Sequence, residues 1–246
     1  MDRSESATVL VRGGLGRLRL HVHGVDAAMV MDELPVAMVW MRQGDATDRW
    51  FVRAHDLGAI EDELDLPDTQ SGEPLANLLR DVLAMMPDGR YRLGLQASSD
   101  LDPDQPTADD PSRSSGELLT WTGLHRVRTD DPLLLGTVPR DLLDRAEIRS
   151  LSARINRGAR PPVVVVEAPE QGVSFIIAGH TALEAYRRVA MEPVLLTIEP
   201  LDPDPLSEDD GTALLNAAFA RCGDVVVAEW RALRESQAPV SVADAG

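Results

Sequence analysis

Apolar and polar residues alternate along several short segments of the first hundred residues. Leu18, Leu20 and Val22 alternate with arginines and histidines, which predicts a strand with one buried face and one wet face. The predicted strands cover residues 8–11, 16–24, 35–41, 49–54 and 90–97. A helix is predicted from Pro74, because leucines and a valine recur at helical spacing as far as Met86.

Residues 1–97 therefore predict an α+β unit with an antiparallel sheet. The first two strands are separated by Gly13, Gly14, Leu15 and Gly16, and we expect these residues to form a hairpin turn. The cluster lacks the spacing and the following helix of a dinucleotide-binding loop. A second turn signal at residues 44–48 predicts a hairpin between the strands at 35–41 and 49–54.

Residues 98–116 differ in composition from what precedes them. They are rich in proline, serine and aspartate and nearly free of apolar side chains. A segment of this kind buries too little surface to offset the entropy of ordering it, so we predict an acidic flexible linker. Alternation resumes over residues 117–127, where another strand is expected.

The pattern after residue 139 is that of a small α/β module. An apolar stripe ending at Ile155 predicts a helix that Gly158 closes. Strands are expected at 163–166, 174–177 and 193–198, with a helix after Gly179. Ser207 is a candidate cap for a terminal helical pair. The predicted organisation is an N-terminal domain at 1–97, a linker at 98–116, an α/β module at 117–206, and C-terminal helices with a tail at 207–246.

The turn at Gly179 and His180 is the strongest candidate for chemistry. Gly179 allows a sharp strand-to-helix turn, and Thr181 with Glu184 three residues later has the spacing of a capping box. The amides and dipole at such a helix start can hold an anion. We interpret His180 as the main functional candidate, and an ordinary turn histidine bonded to nearby backbone is the competing interpretation.

The order of elements around this turn resembles that of the ParB/sulfiredoxin-like superfamily. The resemblance spans residues 139–200 and rests on the residues 157–162 before a valine-rich strand, and on Ile176, Ile177, Ala178, Gly179 and His180. It implies a nucleotide such as CTP or ATP held by its phosphates at the turn. The candidate phosphate-binding residues are Gly179, His180, Thr181, Arg157 and Arg160.

The catalytic positions of the active relatives are not kept here. Ala178 stands where kinase-like and nuclease-like members of the superfamily carry aspartate. Thr181 and Ala182 stand where other members grip phosphate, and the cysteine of sulfiredoxins has no counterpart. The resemblance therefore implies a module with no catalytic residue assigned.

Composition narrows the function further. The chain has 41 carboxylates against 24 basic residues, a net charge of −17, and every one of its bases is arginine. Without lysine there is no P-loop lysine and no Schiff base. The acidity makes DNA binding unfavourable and suits a basic protein partner. Residues 140–190 hold eight arginines and six carboxylates, so this stretch is the least acidic.

Two remaining features concern metal and location. His21 and His23 point to the same side of a predicted strand, but they share that side with arginines, so we expect a solvated face and no metal site. Cys222 is the only cysteine and no apolar run is long enough to span a membrane, which predicts a cytoplasmic protein.

Two functions remain open from the sequence. The first is a non-catalytic ParB-like binding or regulatory protein acting through protein–protein interaction. The alternative is a nucleotide- or phosphate-dependent enzyme that uses the turn at Gly179 and His180 as its phosphate site. To act as a binding site, this turn must have a strand on each side of it, and His180 must not be sealed in the interior.

Overall fold

A computed structural model of the chain describes residues 5–24, 26–41, 48–53, 69, 74–97, 124–128, 133–138, 143–205, 207, 209, 211, 213–214 and 217. The strands are β1 (Glu5–Val11), β2 (Leu18–His23), β3 (Asp26–Met31), β4 (Leu34–Met41), β5 (Asp48–Arg53), β6 (Gly89–Ala97), β7 (Leu124–Arg128), β8 (Leu133–Gly136), β9 (Pro162–Ala168), β10 (Val173–Ala178), β11 (Val194–Pro200) and β12 (Asp204–Pro205). The helices are α1 (Leu75–Leu78), α2 (Arg80–Met85), α3 (Arg145–Asn156) and α4 (His180–Arg188), with a 3₁₀ turn at Pro169–Gln171.

The strands form two six-stranded sheets. The first sheet has the order β1-β6-β11-β9-β10-β8, and the second has the order β12-β2-β3-β4-β5-β7. Strands β9 and β11 are parallel, as are β8 and β10, while β6 pairs antiparallel with both β1 and β11. The predicted α+β class is confirmed.

A single core fills the space between the sheets. Leu18 and Met29 of the second sheet are fully buried in the same cluster as Leu93, Phe175 and Ile198 of the first. Helices α1 and α2 add further buried leucine, valine and methionine side chains to it. Each such side chain contributes about 1.5–3 kcal/mol when it is removed from water, so this layer holds the sheets together.

The middle of the first sheet is covered on its other face by helices. Val163 and Val165 of β9 pack with Leu195 of β11 against Ile155 of α3 and Tyr186 of α4. Strand β9 is thus buried on both faces, which explains why it is a continuous run of valines instead of an alternating pattern. The outer strands β1 and β6 extend beyond these helices, and Arg92 and Thr8 are exposed there.

The hairpin predicted at Gly13–Gly16 is wrong. Strand β1 pairs with β6 in the first sheet and β2 pairs with β3 in the second, so the glycines connect two sheets. The connection lies on the end of α2, where the Leu15 amide donates to the Ala84 carbonyl at 2.9 Å. A Cβ at Gly14 would lie 2.2 Å from the Met86 carbonyl oxygen, so close packing against the helix end requires glycine there.

Other predictions fare differently. The β4–β5 hairpin is confirmed, as are the helix ending before Gly158 and the three strands and helix from 162 to 200. Strands β3 and β8 were not predicted. Both sheets combine strands from before and after the predicted 98–116 linker, which itself lies outside the described residues, as does most of 207–246. Residues 209, 211, 213, 214 and 217 have helical backbone.

Candidate functional site

The turn between β10 and α4 depends on glycine for two reasons. Gly179 has φ +86°, a left-handed conformation that side chains rarely adopt. A Cβ at this position would also lie 2.5 Å from the Pro162 carbonyl oxygen and 2.8 Å from the Val163 Cα. Both contacts are with the backbone of β9, which cannot move without disturbing the centre of the sheet. The predicted strand–turn–helix therefore exists, with β10 before the turn and β11 after the helix.

His180, the first residue of α4, points into the protein. Its side chain is 3% exposed, and its Nε2 accepts hydrogen bonds from the backbone amides of Thr137 at 3.0 Å and Val138 at 3.2 Å. A nitrogen that accepts from two donors carries no proton, so this geometry places the ring proton on Nδ1. The hydroxyl of Thr137 donates to the Ile176 carbonyl beside it. His180 thus ties the end of β8 to the start of α4.

This arrangement changes what the turn offers to an anion. The segment from Gly136 to Val138 lies against the His180 ring, and a Cβ at Gly136 would be 3.4 Å from its Cδ2. The ring directs a lone pair, not an N–H, toward the donors of that segment. A phosphate at this face of the ring would have to displace Thr137 and Val138 from their acceptor. The competing interpretation of His180, a turn histidine hydrogen-bonded to backbone, matches this geometry. The condition that His180 is not sealed in the interior is not met, because its side chain is 3% exposed.

The capping box predicted from Thr181 and Glu184 is wrong. The N-cap residue of α4 is Gly179, which has no side chain, and the helix starts one residue before Thr181. Glu184 accepts instead from Arg187, with Oε1 and Nη1 2.7 Å apart, and its side chain is only 9% exposed. The spacing was right for a cap, but the left-handed glycine already turns the chain, so the helix begins earlier.

The two candidate arginines lie at the end of α3. Arg160 donates from Nη1 to the carbonyls of Ala159 at 2.8 Å and Ile155 at 3.2 Å. Its cation therefore satisfies carbonyl groups at the helix C-terminus, where positive charge is favourable. Arg157 is the exposed C-cap residue of the same helix. The structure thus keeps Gly179, His180 and Thr181 together and assigns Arg160 to the end of a helix.

A second polar arrangement crosses the first sheet and was not predicted. Thr8 lies opposite Arg92, Arg92 opposite Glu199, and Ser174 opposite Glu167. Glu167 and Glu199 follow directly after the paired residues Val166 and Ile198 of parallel strands. We use the name polar row for five of these residues: Thr8, Arg92, Glu199, Glu167 and Ser174. Part of its sequence signal was available, because Glu167 follows four consecutive valines and Glu199 follows the mostly apolar residues 194–198.

The polar row combines charge pairing with partial burial. Arg92 forms an ion pair with Glu199, with side chains 56% and 18% exposed. Burial raises the pKa of the Glu167 carboxyl, and the nearby Glu199 carboxylate raises it further, while a hydrogen bond with Thr197 and the charge of Arg92 oppose this rise. Gly94 leaves room for Thr197, since a Cβ there would lie 2.6 Å from the threonine Oγ1.

One histidine of β2, His21, borders a groove on the second sheet. His21 lines it together with Arg17 and Asp32, and its volume is about 670 Å³. Arg17 is bound to Asp32 through Nε and Nη2, both at 2.9 Å, and Arg17 lowers the pKa of the Asp32 carboxyl. Within the described ranges, no group of three or more His, Cys, Asp or Glu side chains is placed to hold a metal ion.

Comparison of the chain with protein-family models, curated proteins and solved structures finds no match. The chemistry of the site is therefore argued from its own residues. Among the helices of the described ranges, none combines the length and the apolar character needed to cross a membrane.

Proposed function

We propose that this protein acts by binding rather than by catalysis, as a regulatory or interaction protein with a degenerate ParB/sulfiredoxin-like module. The support from sequence is the order of elements at 139–200 and the loss of catalytic side chains at Ala178, Thr181 and Ala182. The fold class and the strand–turn–helix geometry are compatible with this module. The identity of the module remains part of the proposal.

The observation that carries the proposal is the inward orientation of His180. Its acceptor nitrogen already satisfies the amides of Thr137 and Val138, and all these groups are inside or at the edge of the core. Freeing a buried donor or acceptor costs about 1–3 kcal/mol per group. A nucleotide phosphate would have to repay that cost without the phosphate-gripping side chains of active relatives. The alternative of a nucleotide-dependent enzyme is therefore the weaker of the two.

Charge indicates the kind of partner. The chain carries a net −17, whereas residues 140–190 have two more arginines than carboxylates. The negative charge is therefore concentrated outside this stretch, where it attracts a basic protein surface and accelerates its association. A partner held in this way should dissociate as salt screens the attraction.

The test compares binding with nucleotide chemistry on the full chain. Immobilised protein is exposed to a lysate of its source organism, and bound proteins are eluted with increasing salt. The expected result is a basic protein that is eluted by salt. In parallel, CTP and ATP are titrated calorimetrically into the wild type and the His180→Gln variant, and no saturable heat is expected in either.

Two outcomes would overturn the proposal. One is saturable CTP or ATP binding to the wild type that His180→Gln abolishes while the thermal unfolding midpoint stays close to that of the wild type. The other is a capture experiment that recovers nothing beyond a bead-only control at low salt. Glutamine can still accept hydrogen bonds through its amide oxygen, so the variant separates a fold defect from a ligand defect.

A further inference from the structure

Among the strands that the structure describes, β1 forms one edge of the first sheet. It is seven residues long and pairs with β6 from Glu5 to Val11 without any shift in register. Ser6, Ala7 and Thr8 are exposed, and Leu10 is 56% exposed, one of two large apolar side chains in the described ranges with high exposure. A strand in this position presents backbone N–H and C=O groups that a further strand can pair with.

Within the described residues, strand β1 itself carries none of the usual features that protect an edge against pairing. Natural edge strands are kept apart by lysine or arginine, proline, bulges or short length. Strand β1 has no proline and no basic residue, its pairing to β6 contains no bulge, and its one charged residue, Glu5, is at its end. The opposite edge of the first sheet, β8, has four residues. An unprotected edge strand of this length is expected where the strand pairs with another molecule.

We propose that β1 pairs antiparallel with β1 of a second copy of this chain, across a two-fold axis perpendicular to the sheet. The two first sheets would then form one continuous sheet of twelve strands. This is an isologous contact, in which each copy contributes the same strand. The inference goes beyond the proposed function and concerns a surface distant from the Gly179 turn along the sheet, since β1 and β10 are separated by three strands.

Symmetry fixes the register. Residues opposite each other in an antiparallel pair point to the same face, so a residue can only face a copy residue an even number of positions away. Pairing all seven residues then has one solution, in which Thr8 faces Thr8 of the other copy. Ser6 faces Leu10 and Ala7 faces Val9 in that arrangement. Opposed threonines are a favourable cross-strand pair, and Leu10 gains cover from the neighbouring strand.

Charge favours a second copy over a basic partner at this edge. The two arginines that β6 places opposite Leu10 and Thr8 are already paired, Arg90 with Asp202 and Arg92 with Glu199. A basic surface would therefore gain little attraction here. Two copies with a net charge of −17 repel each other overall, and a locally neutral strand is where that repulsion is smallest. Such a small contact predicts a dimer with a Kd on the order of micromolar or weaker.

The experiment measures self-association of the full chain by sedimentation velocity over a wide range of protein concentration. Thr8→Arg and Thr8→Glu each place like charges opposite each other on the two-fold axis, and we expect at least a tenfold weaker dimer for each. Mixed in equal amounts, the two variants should associate with each other at least as tightly as the wild type. Thr8 is exposed in the single chain, and thermal unfolding of both variants checks that the fold is kept.

Salt distinguishes this inference from the proposed function. Dimerisation through β1 should strengthen with salt because screening reduces repulsion between the two acidic copies, whereas binding of a basic partner should weaken. A chain that stays monomeric at several hundred micromolar in both low and high salt overturns the inference. So does a dimer that neither Thr8 variant affects, since the contact would then lie elsewhere.

Discussion

The two halves of the first sheet treat polar groups in opposite ways. Under α3 and α4, the polar side chains of Thr137, Ser152 and His180 are buried and each has a partner within the chain. Beyond the helices, the Arg92 side chain is exposed to solvent and forms an ion pair with Glu199 at the surface. The same sheet thus has a covered half whose hydrogen-bonding groups are used internally, and an open half whose polar groups remain accessible.

This difference indicates which half of the first sheet can bind a ligand. A strand-to-helix turn is often a binding site, but here its first helical residue, His180, accepts from the amides of Thr137 and Val138 and so fastens β8 to α4. The exposed polar groups of the open half are already solvated, so another molecule can bind there without breaking internal hydrogen bonds. Variants in the covered half should therefore change stability, and variants in the open half should mainly change surface behaviour.

The largest effect is expected at Gly179. In Gly179→Ala the new Cβ would meet the backbone of Pro162 and Val163, and φ is unfavourable for alanine. Strain and displacement of β9 together predict a loss of about 3 kcal/mol or more in the free energy of unfolding. Chemical denaturation measures it. Gly13→Ala is a useful control, because φ there is +74° but no atom lies within 4 Å of the added Cβ, so its loss should be clearly smaller.

His180→Ala should have the next largest effect. It leaves the amides of Thr137 and Val138 without their acceptor and creates a cavity, which predicts a loss of about 2–4 kcal/mol. His180→Gln should recover part of this loss, since its amide oxygen can accept in place of Nε2. Equal stability of His180→Ala and the wild type in denaturation curves would contradict the division into two halves.

Glu167 lies at the border between the halves, and its effect should depend on pH. Its pKa is raised in the folded state, so the folded protein holds this proton more tightly than the unfolded chain does. Wild-type stability is therefore lost as pH rises through the unfolded pKa toward the folded one. Glu167→Gln does not lose this stability. Above that pH window its free energy of unfolding should exceed that of the wild type by less than about 1 kcal/mol, and below the window the two should be equal. Denaturation at pH 4 and pH 8 tests this, and a variant less stable at pH 8 would argue against it.

Arg92→Ala should have the smallest effect. Arg92 is the exposed member of the ion pair with Glu199, and pairs of this kind contribute about 0–1 kcal/mol to the free energy of unfolding. We expect a change within that range, decreasing with added salt, measured by thermal unfolding at two ionic strengths. A loss comparable to that of His180→Ala would mean that the open half is as tightly interlocked as the covered one.

Local patterns predicted the module well and the overall architecture less well. Strand β9, the turn, α4 and β11 each have a strong pattern over a few residues, and each was found where it was expected. Strand β3 was not predicted because its residues 26–31 are an aspartate, two alanines, two methionines and one valine, which do not alternate in polarity. The glycines at 13–16 favour a hairpin locally, but β1 pairs with a strand about eighty residues later.

The candidate site shows the same limit. The position of Gly179 and the helix after it could be predicted, because a glycine between a strand and a helix is a local signal. The partners of His180 come from 42 and 43 residues earlier in the chain, through a strand that sequence did not reveal. No spacing rule reports such a contact, and the direction of the ring decides whether the turn receives a ligand or fills a gap.

The position of β6 between β1 and β11 has a consequence for synthesis. Strand β6 lies between β1 and β11, and the residues of β11 follow it by roughly a hundred positions. At about 5–20 residues per second, a ribosome needs roughly 5–20 seconds to deliver them. During that interval the nascent chain exposes a nine-residue strand with one side unpaired, which is the condition under which holding chaperones act.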